Sequence, residues 1–356
     1  MNESLHRIAA FGLPTATAVG TVVLDESAVE LLEAQRLVGF AVAALDAGEL
    51  QASGPSAIAL RAAHRGALAD AVRLEALLVE TIEGLTSAGI DATVHKGAAV
   101  AHLDYPDPNW RTFGDVDIIV AGDRFDAAVA WFEARGCRRR FDEPRPGFTA
   151  RFGKGVCLVT PYGLEVDLHR ALVAGPYGVV ADPATLLEGR ATFELAGRTL
   201  HALRREERCL AAAFHAVLGS AEPRLVPVRD VAQMLVNGLD ADRLVALAHA
   251  WRAEAVLARC VLVADALLPT ADHLPLASWA FGYEANRRER QMVRSYVATD
   301  RSYAGQARAA LAVVPGFRAK VAYARALAMP DPSYLAHHDG GYRRRVARAI
   351  GLGTRR

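Results

Sequence analysis

The 356-residue sequence predicts an α+β protein, with a small mixed-sheet core flanked by N-terminal helices and a C-terminal helical domain. Three observations carry this. Helix-period apolar residues fill the first quarter, short strand-like runs separated by turn residues occupy roughly residues 90–170, and Ala-, Leu- and Arg-rich helical text returns from about Pro183. The expected organisation is a helical segment over 1–88, an α/β core over 89–181 and a helical domain over 182–356.

After a loose start, the acidic and Ser-containing turn at Asp25 suits a helix N-terminus, and helical character runs to about Leu50. Gln51 to Pro55 breaks it. Leu60, Leu68, Val72, Leu74, Leu77, Leu78 and Ile82 then recur at helical spacing to about Ala88, with Gly89 placed as a C-terminal cap. The strand-like runs are Ala92 to His95, Val116 to Val120, Cys137 to Phe141, Phe148 to Phe152, Val156 to Thr160 and Leu164 to Leu168. Between the second and third, Phe125, Ala128, Val129 and Phe132 share one face of a helix expected over Asp123 to Arg135. Further helices are expected over Glu206 to Leu218, Val228 to Leu235, Asp242 to Ala250 and Glu254 to Leu267, and a basic helix after Pro330.

Composition excludes several classes. Lys and Arg (41) balance Asp and Glu (40), so no global field draws the chain to nucleic acid, and no specific nucleic-acid signal is present. The apolar stretch from Ile8 to Leu24 is interrupted by Gly12, Pro14 and Gly20 and is not read as a signal peptide. No run of eighteen apolar residues exists, so no membrane partner is expected. Cys137, Cys157, Cys209 and Cys260 form no CxxC pair, which fits a cytoplasmic protein.

The chemistry concentrates in three places. Gly114-Asp115-Val116-Asp117-Ile118 puts two carboxylates at i and i+2 at the mouth of an apolar strand, where both project from one face and can grip one cation. A third carboxylate, Asp167, lies in Glu165-Val166-Asp167-Leu168-His169, whose alternation groups Glu165, Asp167 and His169 on one face. Three converging carboxylates are what magnesium ions need to bridge phosphates and an attacking hydroxyl, and Asp167 can also serve as the base. Upstream, His95-Lys96-Gly97-Ala98-Ala99 runs from a strand into a helix, exposing backbone N–H groups to an anion; Lys96 and Arg111 add positive charge for a phosphate.

Lys96-Gly97-Ala98-Ala99, Arg111-x-x-x-Asp115-x-Asp117-Ile118 and Val166-Asp167-Leu168-His169 together resemble the bacterial family of uncharacterised nucleotidyltransferases, within the polymerase-beta-type nucleotidyltransferase superfamily. The resemblance extends, less specifically, to His215 and the Arg229-Asp230 pair. It implies a nucleotidyltransferase core in which Asp115, Asp117 and Asp167 are catalytic and hold Mg2+ or Mn2+, while Lys96, Gly97, Ala98 and Arg111 bind a nucleoside triphosphate. Its acceptor would be an unidentified small molecule, peptide or protein. The superfamily's Gly-Ser or Gly-Gly turn is here Gly97-Ala98, without a hydroxyl.

Blander readings stand beside these. An Asp-x-Asp pair alone often only caps a turn, Glu165 reads as a solvated neighbour, and His169 as ligand or structural residue. His95 leans structural, His215 reads as a core or interface histidine, with lining the cleft as the alternative, and Arg229-Asp230 as an internal ion pair. His337-His338-Asp339 has the look of a phosphohydrolase motif but lies in a Gly-rich break without companion ligands. The alternative to transfer is a catalytically inactive nucleotide- or metal-binding regulatory protein.

Overall fold

The computed structural model describes residues 2–14, 16, 24, 26–180, 183–219, 223–297, 310–311 and 314–338. Asp25, Asp339 and the basic segment from Arg343 to Arg356 lie outside them.

Four helices open the chain: α1 (Asn2–Ala10), α2 (Glu26–Ala34), α3 (Val38–Asp46) and the 34-residue α4 (Gly54–Ser87). The start is thus helical rather than loose: Leu5, Ile8 and Ala9 are buried at i, i+3 and i+4 and give α1 one apolar face. The single helix expected up to Leu50 is two helices, because Arg36 takes a left-handed conformation (φ 56°) between α2 and α3. Ser53 caps α4 with its side chain, Pro55 stands in its first turn and Gly89 (φ 72°) follows its end, the asymmetry expected of a helix with explicit start and stop signals.

The core elements follow as β1 (Ala92–Val94), α5 (Ala98–Asp104), β2 (Val116–Val120), α6 (Phe125–Glu133), β3 (Arg138–Arg139), α7 (Phe148–Phe152), β4 (Gly155–Val159) and β5 (Glu165–His169). Residues Phe148–Phe152, expected as a strand, are helical. Phe148 and Phe152 are four apart, which on a helix makes them neighbours, and their rings (5.4 Å between centroids) pack together against Tyr323.

Short helices α8 (Pro176–Val180) and α9 (Pro183–Leu186) lead to a second correction, the hairpin of β6 (Ala191–Leu195) and β7 (Arg198–Ala202) inside text expected to be helical. Ala196 and Gly197 both have positive φ (49° and 73°), as a tight primed turn requires. Phe193, Leu195, Leu200 and Ala202 point to the core from alternate positions. The sheet therefore has seven strands in the order β3-β4-β5-β2-β1-β7-β6, mixed in direction, with β2/β5 and β1/β7 parallel. It extends past residue 181.

One face of this sheet is covered by α4 and α6, whose Leu74, Leu78, Phe125 and Phe132 join Val116, Ile118, Val166 and Leu168 in one apolar cluster. The opposite face meets a larger cluster built by α1–α3 together with the later helices α10 (Arg205–Leu218), α11 (Leu225–Val236), α12 (Ala241–Ala250) and α13 (Glu254–Leu267). These four match the expected helices to within three residues. N- and C-terminal helices thus share one apolar core, against which α14 (Ala277–Gly282) and α15 (Arg287–Val297) also pack. Helices Phe317–Ala328 and Pro332–His338 follow.

Gly39 on α3 lets the helix sit directly on the Pro108–Trp110 turn: a Cβ there would fall 2.4 Å from the Trp110 carbonyl oxygen. Trp110 in turn packs beside Phe11 and Phe40. The N-terminal helices are thereby fixed against the loop that delivers Arg111 and the acidic strand.

Candidate active site

Register places the site. β2 lies inside the sheet with all five residues buried; Val116, Ile118 and Val120 turn to the α4/α6 face, leaving Asp117 on the other. Asp117 pairs in register with Asp167 on β5, Asp167 pairs with Cys157 on β4, and the backbone N–H of His95 donates to the Asp117 carbonyl. One row across the sheet thus carries His95, Asp117 and Asp167, with Asp115 just before β2 and His169 two residues beyond Asp167.

The donor atoms of Asp117, Asp167 and His169 lie within 4.8 Å of one another. Lys96 Nζ is 2.8 Å from Asp117 Oδ1, and His169 Nε2 is 3.1 Å from the same oxygen. Both contacts fall on Oδ1; no described side chain donates to Oδ2. An ionised carboxylate only accepts, so His169 carries its hydrogen on Nε2, and its Nδ1 has no partner among the described residues. Lys154 Nζ stands 3.8 Å from Asp167 Oδ2. Rings of His95 and His169 meet edge to face at 4.8 Å.

Burial opposes charge on Asp117, yet Lys96 and His169 outweigh it and hold the carboxyl well below its ordinary range. Asp115 goes the other way: partial burial and the neighbouring Asp117 charge raise it. Burial depresses both His95 and His169, keeping the imidazoles neutral. Lys96 is raised, because Asp117 and Asp115 overcome its burial. The site is a cluster of carboxylates with Lys96 inserted beside Asp117 and Lys154 near Asp167.

Around it opens a cleft of about 570 Å³ whose walls include Lys96, Gly97, Arg111, Phe113, Asp115, Asp117, Lys154 and Asp167. His215 on α10 faces it rather than lying in the core, and Arg224, Val226 and Pro227 at the start of α11 form the far wall. Enclosure in the cleft and the cations Lys96 and Arg111 keep His215 below its ordinary pKa.

Gly97 sits at the turn from β1 into α5 with φ 57°. What glycine provides there is backbone freedom, since a Cβ would make only ordinary 3.6 Å contacts. Ala98 begins α5 and is buried. Arg111 reaches the cleft edge, but its guanidinium donates from Nε and Nη2 to both oxygens of Asp230 (3.1 and 2.8 Å) and from Nη1 to the Thr112 carbonyl. Asp230 is thus the partner of Arg111 rather than of Arg229, correcting the expected internal pair. Arg229 lies against the Phe40 and Tyr105 rings and donates to the Phe11 carbonyl. Glu165, read as a solvated neighbour, pairs with Arg140.

The profile of the family described as uncharacterised nucleotidyltransferases matches residues 24–269, more than half of the chain. The chain belongs to that family. It is accordingly a nucleotidyltransferase, and the matched span holds every cleft residue named above.

Among solved structures, the solution structure of the antibiotic-resistance factor ANT(2'')-Ia is 18% identical, covers 51% of this nucleotidyltransferase and 92% of its own chain, and superposes with a TM-score of 0.36. The crystal structure of ANT(2")-Ia with adenylyl-2"-tobramycin is 16% identical, with 50% and 96% coverage and a TM-score of 0.36. An antigenic nucleotidyltransferase-like protein from Paracoccidioides brasiliensis is 17% identical, with 55% and 93% coverage and a TM-score of 0.33. A search of curated proteins gives no match. No described helix is long and apolar enough to cross a membrane.

Sequence reasoning missed Arg36, Lys154 and Arg224. Each is a lone cation outside any motif, delivered to the cleft by tertiary packing; the left-handed backbone at Arg36 carries no sequence signal because Gly or Asn is the usual residue there.

Proposed function

We propose that this nucleotidyltransferase moves a nucleoside monophosphate from a nucleoside triphosphate to a hydroxyl of a small-molecule, peptide or protein acceptor, releasing pyrophosphate. The supporting observation is the buried Asp117 carboxylate whose Oδ2 has no described donor, set beside Asp167 in the same sheet row and within two residues of Asp115.

Asp115, Asp117 and Asp167 would hold the divalent metal. The donor set fits one: hard oxygen ligands suit Mg2+ and also Mn2+, and the mutual repulsion that raises Asp115 is relieved by a cation. His169, donating its Nε2–H to Asp117, orients that carboxylate. Bound metal supplies neutralisation of phosphate charge and acidification of the attacking hydroxyl.

The chain's own groups supply the rest. Lys96, which pairs with Asp117 at the cleft wall, would neutralise the phosphates together with the Gly97–Ala98 backbone N–H groups. Asp167, only half-buried and beside Lys154, takes the acceptor proton. Arg111 stays with Asp230 and acts as a fixed positive charge beneath the cleft.

Thermal unfolding with ATP, GTP, CTP and UTP, with and without Mg2+, tests this directly. Nucleotide at about 100 times its dissociation constant stabilises by about 2.7 kcal/mol, and Asp115→Ala/Asp117→Ala abolishes the gain. Label on the α-phosphate then moves to an acceptor. No metal-dependent shift with any of the four would overturn the reading, and binding without turnover would replace it with the regulatory one.

A further inference from the structure

Arg36 breaks a local rule without a local reason. The chain leaves α2 through a Schellman turn: the Leu37 N–H donates to the Leu32 carbonyl (2.8 Å) and the Arg36 N–H to the Glu33 carbonyl (2.9 Å). Arg36 therefore occupies the left-handed position that glycine fills most easily, at φ 56°. A non-glycine residue in that region costs on the order of 1 kcal/mol, and such strain collects at functional positions.

The side chain supplies the reason. It extends over Gly114, immediately before Asp115, where a Cβ would fall 2.6 Å from its Nη2. An arginine at a glycine position thus faces a glycine that makes room for it. Arg36 lines the 570 Å³ cleft and also a neighbouring cavity of about 540 Å³, so it stands at their junction. It is near enough to Asp115 to favour that carboxylate electrostatically.

Its charge is also free. Lys96 is committed to Asp117, Lys154 lies near Asp167 and Arg111 is doubly bonded to Asp230. Arg36 forms no ion pair or side-chain hydrogen bond with a described residue. A planar, permanently charged fork held open beside a carboxylate cluster fits one ligand class, a polyphosphate.

We propose that Arg36 binds the β- and γ-phosphates of the nucleotide and stabilises departing pyrophosphate. This rests on the transferase reading above. As the acceptor oxygen bonds to the α-phosphorus, the bond from that phosphorus to the β-bridging oxygen breaks. The electron pair leaves with pyrophosphate, the acceptor proton passes to Asp167, and Arg36 neutralises the charge that accumulates on the leaving group.

The test uses the full chain with Mg2+, titrated calorimetrically with the four nucleoside triphosphates, their monophosphates and inorganic pyrophosphate. Arg36→Gly should weaken triphosphate and pyrophosphate binding about tenfold or more, leave monophosphate binding unchanged, and raise the unfolding temperature of the unliganded protein. Opposite signs on affinity and stability are not expected of a merely structural residue. Arg36→Asn, which also accepts the left-handed backbone, provides a second neutral variant. Unchanged triphosphate and pyrophosphate binding in both variants, with a wild type that binds, overturns the role of Arg36 alone. A wild type that binds neither overturns the transferase reading and this proposal with it.

Discussion

Asp117 and Asp230 are the same residue type, equally buried at 3% exposure, and each has a cationic nitrogen at 2.8 Å. Their accounts differ in what is left over. Asp230 receives the Arg111 fork on both oxygens and the Tyr105 hydroxyl at 2.8 Å on Oδ1. Asp117 receives Lys96 and His169 on Oδ1, and Oδ2 is left for the cleft. A buried carboxylate with filled oxygens is part of the frame, whereas one with an open oxygen on a cavity wall is available to a ligand. Burial alone does not separate the two; the complete list of donors does.

The widest separation is in turnover. Asp117→Asn keeps shape and burial but removes the charge that would hold metal, so nucleotidyl transfer should fall about a thousandfold or more, corresponding to roughly 4 kcal/mol of transition-state stabilisation. Steady-state kinetics on this variant beside Asp230→Asn decides it: comparable losses would dissolve the distinction between frame and site.

Stability should reverse the order. Asp230→Ala strands Arg111, which is 6% exposed, and the Tyr105 hydroxyl without their acceptor. Removing one partner of a buried pair typically destabilises by about 3–5 kcal/mol, because the remaining charge keeps its desolvation penalty. Chemical denaturation should therefore show Asp230→Ala far weaker than wild type and Asp117→Asn much closer to it. Asp104 with Arg208, bonded through both oxygens at 2.8 and 2.7 Å, is a second frame pair linking α5 to α10 and should behave like Asp230.

The same contrast explains what was legible in the sequence. That Asp117 and Asp167 stand side by side in the sheet was readable, because strand alternation fixes side-chain direction and an acid on an otherwise apolar strand conflicts with burial unless something positive arrives. The four helices from α10 to α13 were readable from their 3.6-residue period. Arg111 was found as a cation near the site, but not its partner, because Asp230 is 119 residues away and only the packing of α11 brings it in. Arg229, adjacent in sequence, looked the nearer choice and instead lies against aromatic rings. The β6–β7 hairpin was missed although Thr192-Phe193-Glu194-Leu195-Ala196-Gly197 alternates, because the surrounding Ala- and Leu-rich text outweighs a five-residue strand. Phe148 to Phe152 reads as a short run among turn residues, as a strand would, where the i, i+4 spacing of the two rings specifies a helix.

The mildest effect is proton linkage, and it too should belong to the site rather than the frame. His95 and His169 are buried, their rings meet at 4.8 Å, and neither Nδ1 has a partner among the described residues. Lys96 and Lys154 face them with positive charge, and Asp117 with negative; burial outweighs the attraction of Asp117 and lowers both pKa values below 6.5. Unfolded, each imidazole takes a proton as pH drops through 6.5, while the folded protein refuses it. The unfolded state then binds more protons, so stability falls as pH decreases below 6.5 and levels off once the folded pKa is passed. Arg111 remains charged throughout, since Asp230 raises it further above its ordinary value. Metal-free protein melted from pH 7.5 to 5 should lose stability progressively below 6.5. His95→Gln should flatten part of that slope and Asp230→Asn should leave the slope in place while lowering the whole curve. A slope untouched by His95→Gln would move the linkage away from the row of side chains on which the site is built.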